Sequence, residues 1–183
     1  IADAEEVVNA ELAATCVKQL RPLADALSEL DSRLEAVKAE TFKLKGLSAS
    51  EGRAKAVEQA AKSRAEVAAT IKSEAERNRF LVRSATAVMA ARRQIEHYVG
   101  SEYDAHRQGV LKATEDAAIS KAASGVLDPT EFSLVETNAI RTIRETQRSE
   151  EEGTQRIADF QSRVAAGYTQ GLLAQGRVSD AVQ

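Results

Sequence analysis

Apolar or small residues fall at Ala13, Cys16, Leu20, Leu23, Leu27, Leu30, Leu34, Val37, Thr41 and Leu44, in alternating steps of three and four. That is the seam of a heptad coiled coil, and it predicts one helix over residues 2–45. Pro22 lies beside the seam, where it removes a backbone donor and crowds the preceding turn. Because the seam stays in phase on both sides of Pro22, a bend is expected rather than a break. Gly46 suits a left-handed helix terminator, and Ser48-Ala49-Ser50-Glu51 has the form of a capping box. So short a connection predicts a second helix, antiparallel to the first, over residues 48–99 and stopping at Gly100. Its seam is poorer: Val57, Ala61, Ala65, Ala68, Ile71 and Ala75, then Leu81, Ala85, Val88, Ile95 and Val99.

Residues 101–124 read as a shorter helix ending at Gly125. Asp128-Pro129-Thr130-Glu131 then places a capping Asp, a first-turn Pro and an acidic third residue in order. The last helix is expected over 129–170, with Phe132, Val135, Ala139, Ile143, Ile157, Phe160, Val164 and Tyr168 facing inward. Between Arg144 and Arg156 no aliphatic residue occurs. There the helix either packs through Thr146, Ser149 and Gly153 or loosens. Gly171 and Gly176 predict fraying beyond it. The fold class that follows is all-α: an elongated antiparallel bundle of three long helices plus one short helix, with residues 1–183 as a single domain. Each long helix would extend about 65–75 Å at the rise of an α-helix. The N-terminus and short helix would thicken one end into a head. The Gly46–Leu47 turn and the C-terminus would lie at the other.

Composition sharpens this picture. Alanine supplies 34 of the 183 residues and glutamate 20, while Pro occurs twice and Trp not at all. Both of the abundant types are strong helix formers, and alanine lets neighbouring helices approach closely. The 25 basic and 28 acidic residues are interspersed, with a net charge of −3. Lys62, Arg64, Lys72, Arg77, Arg79 and Arg83 alternate with Glu, so they read as a solvated face and no nucleic-acid partner is expected. No apolar stretch approaches the roughly 20 residues needed to cross a bilayer. The single cysteine, Cys16, rules out an intramolecular disulfide. The chain begins with Ile1 and carries no Asn-x-Ser/Thr sequon; the first residue points to a trimmed start, by removal of a targeting segment or by cutting.

Chemistry-bearing residues are few. His97 and His106 are the two histidines. Di-metal bundles use Glu-x-x-His on each of two helices, but His97 follows Gln94 and His106 follows Tyr103 at that spacing. Glu102 and His106 share a helical face without a second pair, so both histidines read as surface or packing residues. Cys16, on the seam, reads as a small buried hydrophobe. Phosphate-binding glycine loops and a nucleophile elbow are absent. No catalytic, cofactor-binding or metal-ligating residue is expected, and the protein is expected not to be an enzyme.

The stretches Ala2-Asp3-Ala4-Glu5-Glu6-Val7-Val8-Asn9-Ala10-Glu11-Leu12-Ala13-Ala14 and Glu58-Gln59-Ala60-Ala61-Lys62-Ser63-Arg64-Ala65-Glu66-Val67-Ala68-Ala69-Thr70 carry a resemblance. With the expected long hairpin and short end helix, the chain resembles the glutamic acid/alanine-rich coat proteins of African trypanosomes. The resemblance implies a cell-surface coat glycoprotein on the outer leaflet of the plasma membrane. Its membrane contact would be a C-terminal lipid anchor, its partners neighbouring coat molecules, and any host or vector ligand is left open. The lack of paired cysteines departs from the related variant surface glycoproteins, as does the lack of an anchor signal in this stretch. Two alternatives stand beside it. A receptor similar to the haptoglobin–haemoglobin receptor of trypanosomes would display an exposed apolar patch on one flank. An intracellular coiled-coil scaffold would keep an apolar stripe and oligomerise.

Overall fold

The computed structural model describes the backbone of residues 2–147 and 149–182, and the side chains of residues 20–147 and 149–181. The protein is all-helical, with no strand among the described residues. Helix α1 spans Ala2–Thr41, α2 Gly46–Thr70, α3 Glu74–Ala123, α4 Pro129–Thr146, α5 Glu150–Ala174 and α6 Val178–Val182. The chain divides into two compact units, Ile1–Asp104 and Ala105–Gln183, and α3 contributes to both.

The first unit is an up-down-up arrangement of α1, α2 and the first half of α3. Helix α1 runs unbroken through Pro22, as its in-phase seam requires. Leu23, Leu30, Leu34 and Thr41 are buried on that seam, Leu27, Val37 and Leu44 half-buried, and Leu20 exposed. Cys16 and the side chains of the Ala2–Ala14 stretch lie outside the described residues. Helix α2 returns antiparallel, with Arg33 bonded to Glu66 across the pair (2.7 Å). Its buried face is Ala49, Ala56, Ala60, Ser63, Val67 and Ala68; of the expected seam Ala68 and Ile71 are buried and Val57 half-buried, while Ala61, Ala65 and Ala75 are exposed. Runs of adjacent alanines make that periodicity degenerate, and the bulky Val67 and Ile71 set the rotation. On α3 the core residues are Phe80, Ser84, Ala91, Ile95 and Val99, while Leu81, Ala85 and Val88 sit half-buried at its margin.

Two breaks differ from the expected boundaries. The helix expected over 48–99 stops at Thr70, and α3 then runs through Gly100 to Ala123. At the break Ile71 turns extended and is buried, and its carbonyl accepts from Arg77 Nε (3.2 Å) and Nη2 (2.7 Å). Ser73 Oγ accepts the Glu76 N–H (3.4 Å). The orphaned ends of both helices therefore find partners without any Gly or Pro. Gly100 ends nothing: it lacks a positive φ, and a Cβ there would meet no atom within 4 Å. The start of α2 differs too. Lys45 is its N-cap, without a side-chain cap, Gly46 takes φ +55°, and Ser48 lies inside the helix.

The second unit packs the end of α3 against α4 and α5. Gly125 closes α3 at φ +69°, and Asp128 begins α4 with a complete capping box and Pro129 in the first turn. The helix expected over 129–170 reverses after Thr146 instead. Ser149 Oγ accepts the Glu152 N–H (3.2 Å), starting α5 antiparallel to α4, and Gln161 reaches back to Glu136 (2.9 Å). With no aliphatic side chain between Ile143 and Ile157, a straight helix there would bury nothing, whereas the reversal joins Ala139 and Ile143 to Phe160 and Val164 in one core. Phe132 and Tyr168 stack across it, centroids 4.2 Å apart. Gly171 does not fray the helix: it is buried, and α5 ends at Ala174 in a Schellman motif. In that motif Arg177 N–H bonds Leu172 O (2.9 Å), Gly176 N–H bonds Leu173 O (3.0 Å), and Gly176 sits at φ +73°.

Gly171 is buried because backbone meets backbone. A Cβ there would lie 2.6 Å from Ala123 O and 2.6 Å from Gly125 N. Gly171→Ala should therefore destabilise the protein by about 1–3 kcal/mol through overpacking. Gly100→Ala, in open space mid-helix, should stabilise by about 0.5–1 kcal/mol. Thermal or urea unfolding of the two variants, followed by circular dichroism, checks the opposite signs.

Candidate functional site

No site residue was expected from the sequence, and the histidines do not converge. His97 is exposed and His106 half-buried, both on α3. Nine residues along a helix place them about half a turn apart, on opposite faces. Among the described residues no group of three His, Cys, Asp or Glu side chains stands close enough to hold a metal ion. No helix is long and apolar enough to cross a membrane. Two polar constellations are nevertheless built with care, one in each unit.

In the first unit, α3 grips the α1–α2 turn. The Tyr98 hydroxyl lies 2.8 Å from the carbonyl oxygens of both Phe42 and Leu44 and shares its proton between them. Lys45 Nζ donates to that hydroxyl (2.9 Å) and to Glu102 (3.0 Å). Glu102 also accepts the Gly46 N–H (3.2 Å), so a carboxylate from α3 caps the start of α2. This is the cap that the Ser48 motif was expected to supply. The Phe42 and Tyr98 rings meet at 4.5 Å, and Lys45 Nζ sits 5.2 Å from the Tyr98 ring centre. Beside them Phe42, Arg93, Gln94, His97, Tyr98 and Ser101 line an open hollow of about 630 Å³.

In the second unit, Glu115 of α3 is buried, at 4 % exposure. It accepts from Arg156 of α5 (2.5 Å) and faces Arg163 at 3.8 Å. Arg156 also donates to Gln108 (3.0 Å), and Arg163 reaches Asp116 (3.5 Å). Breaking such a buried pair leaves an uncompensated charge, so it ties α5 to α3 in one register. Alongside runs an open groove of about 1320 Å³, whose rim includes Glu150, Glu151, Glu152 and Asp159. Both constellations satisfy their charges internally. They do the work of structural clamps, and neither leaves a free acid–base pair facing a cavity.

Pairing sets the charge states of the first clamp. Hydrogen bonds from Lys45 and then from the Gly46 N–H hold Glu102 below the usual carboxylate range. Hydrogen bonds to Tyr98 and then Glu102 raise Lys45 above the usual lysine range. In comparison with known proteins, no family model, no curated protein and no solved structure matches this chain.

The clamp makes a pH prediction. A depressed Glu102 stabilises the fold above its unfolded-state value near ~4.3, and that contribution fades as pH falls through the lower folded value. A raised Lys45 contributes below its unfolded-state value near ~10.4 and loses its effect as pH climbs through the folded value. Wild type should therefore melt above Glu102→Gln at neutral pH, with the gap closing in acid. Melting curves at several pH values check this; a gap that persists under strong acid would contradict the assignment.

Proposed function

We propose that this protein is a non-enzymatic cell-surface coat protein, similar to the glutamic acid/alanine-rich coat proteins of African trypanosomes. The observation that supports it best is how the helices pack. On α2 the buried face is Ala49, Ala56, Ala60, Ser63, Val67 and Ala68, and in the second unit Gly171 brings α5 onto the α3 terminus. Interfaces of this kind make slender bundles, which suit molecules crowded side by side. The reading includes a C-terminal lipid anchor in the outer leaflet and neighbouring coat molecules as partners. The thicker head, expected with residues 101–124 at the end opposite the Gly46–Leu47 turn, is not part of it: Glu102 accepts the Gly46 N–H (3.2 Å), which puts that stretch of α3 and the turn at the same end of the first unit.

A second reading, a surface receptor of long-helical build, is favoured by one observation. Val82 is 76 % and Met89 55 % exposed on α3, an apolar flank of the sort a ligand covers. Treating intact expressing cells with phosphatidylinositol-specific phospholipase C tests the surface assignment. The coat reading expects the protein to label with an impermeant biotin reagent and to appear in the supernatant after the enzyme. Protein that stays unlabelled until the cells are lysed would overturn both surface readings and leave the intracellular scaffold. Copy number separates the other two: a coat requires dense coverage, a receptor does not.

A further inference from the structure

The arginines of the first unit fall into two groups. Arg33, Arg53, Arg64, Arg77 and Arg92 each hold a partner: Glu29 and Glu66, Glu96, Ser84 and the Leu81 carbonyl, the Ile71 carbonyl, and Glu96 respectively. Arg21 of α1 is exposed without a partner, and so are Arg79, Arg83 and Arg93, which hold no ion pair or hydrogen bond among the described residues. At the helical repeat these three fall on one face of α3, with Val82 and Met89 at its edge. Both apolar side chains are exposed, at 76 % and 55 %. The face runs towards the open hollow beside Phe42, itself 39 % exposed. No lysine occurs between Glu74 and Leu111. Exposed Arg and Met with Lys absent is the composition of the inner part of an interface, since Arg binds carboxylates through a preorganised fork.

The chain itself carries a surface of opposite sign. Glu150, Glu151 and Glu152 open α5, are exposed, and hold no ion pair among the described residues; Asp159 lies about two turns further along the same groove. We infer that the Arg79–Arg83–Arg93 face of α3 docks a second copy of this chain, receiving the Glu150–Glu152 turn at the start of that copy's α5. The row of guanidinium groups lies against the acidic turn and Asp159 beyond it, and Val82 and Met89 supply apolar area at its edge. The contact joins two different surfaces of the chain, one in each unit. It rests on the coat reading in one respect: it names how neighbouring coat molecules touch.

The test is sedimentation velocity on the full chain over a range of concentrations. The sedimentation coefficient of the wild type should rise with concentration at low salt and return to the monomer value in about 0.5 M NaCl, where charge contacts are screened. R79E/R83E/R93E and E150R/E151R/E152R should each weaken association at least ~tenfold alone, and an equimolar mixture of the two should associate again, because their charges are then complementary. Circular dichroism checks folding, and the neutral R79Q/R83Q/R93Q variant stands in if the reversed one misfolds. A wild type that stays monomeric at high concentration and low salt overturns the inference. So does association that neither reversal alters, which would place the contact elsewhere. Cosedimentation of a monomeric wild type with phosphatidylserine vesicles, lost in R79E/R83E/R93E, would reassign the face to anionic lipid. Because purified protein is used, this result is independent of phospholipase release from cells.

Discussion

A helix can end only where its unpaired backbone groups find other partners, and in this protein that constraint decides the path of the chain. Neither Gly nor Pro marks the ends at Thr70 and Thr146. The first end exists because Arg77 reaches back to the Ile71 carbonyl while Ser73 takes a donor from α3. The second exists because Ser149 supplies a cap for α5. Each reversal lays the following helix antiparallel on the one before it, and the two cores form as a result. Had either end lacked its partners, one long helix would have carried its apolar residues past each other without burying them.

Once the reversals are set, side-chain size governs how closely the helices lie. Alanine and serine on α2 present little bulk, so the larger anchors, Leu30, Leu34, Phe80 and Ile95, fill the space from α1 and α3. In the second unit the closest approach is backbone on backbone at Gly171 and Gly125, and Tyr168 fastens the same corner by donating to the Leu127 carbonyl (3.2 Å). Large residues then anchor each core where the small ones have made room. Phe160, Ile143 and Leu111 are wholly or almost wholly buried, beside Ala139 and Ala122.

Charge is used for two different purposes. Where helices must keep register, it is paired: Glu102 with Lys45 and the Gly46 N–H, Glu115 with Arg156. Such ties fix geometry more than they add stability: desolvation offsets much of the attraction at the buried Glu115, and solvent screens it at the exposed Lys45. Elsewhere it is left unpaired, with arginine on one face of α3 and glutamate at the start of α5. An acidic chain with interspersed charges would ordinarily be read as evenly solvated. Here three exposed arginines without partners share one face of α3, and three glutamates open α5.

Local chemistry by itself determined the helical class, the seam of α1 through Pro22, the antiparallel return of α2, the Gly125 end and the Asp128 start. In each case the signal is strong because it depends on residues within a turn or two of one another. Two more boundaries were legible and unused. Ser73-Glu74-Ala75-Glu76 and Ser149-Glu150-Glu151-Glu152 have the same form as Ser48-Ala49-Ser50-Glu51, and the first two act as helix starts while the third does not. No local rule separates them. Ser48 is displaced because Glu102, more than 50 residues away, satisfies the chain at Gly46 instead. The rotation of α2 was likewise undecided among neighbouring alanines until Val67 and Ile71 met Leu30, Leu34 and Phe80. Tertiary structure alone also revealed which arginines were already engaged, because partners such as Ser84 for Arg64 lie across a helix pair and leave no trace in sequence spacing.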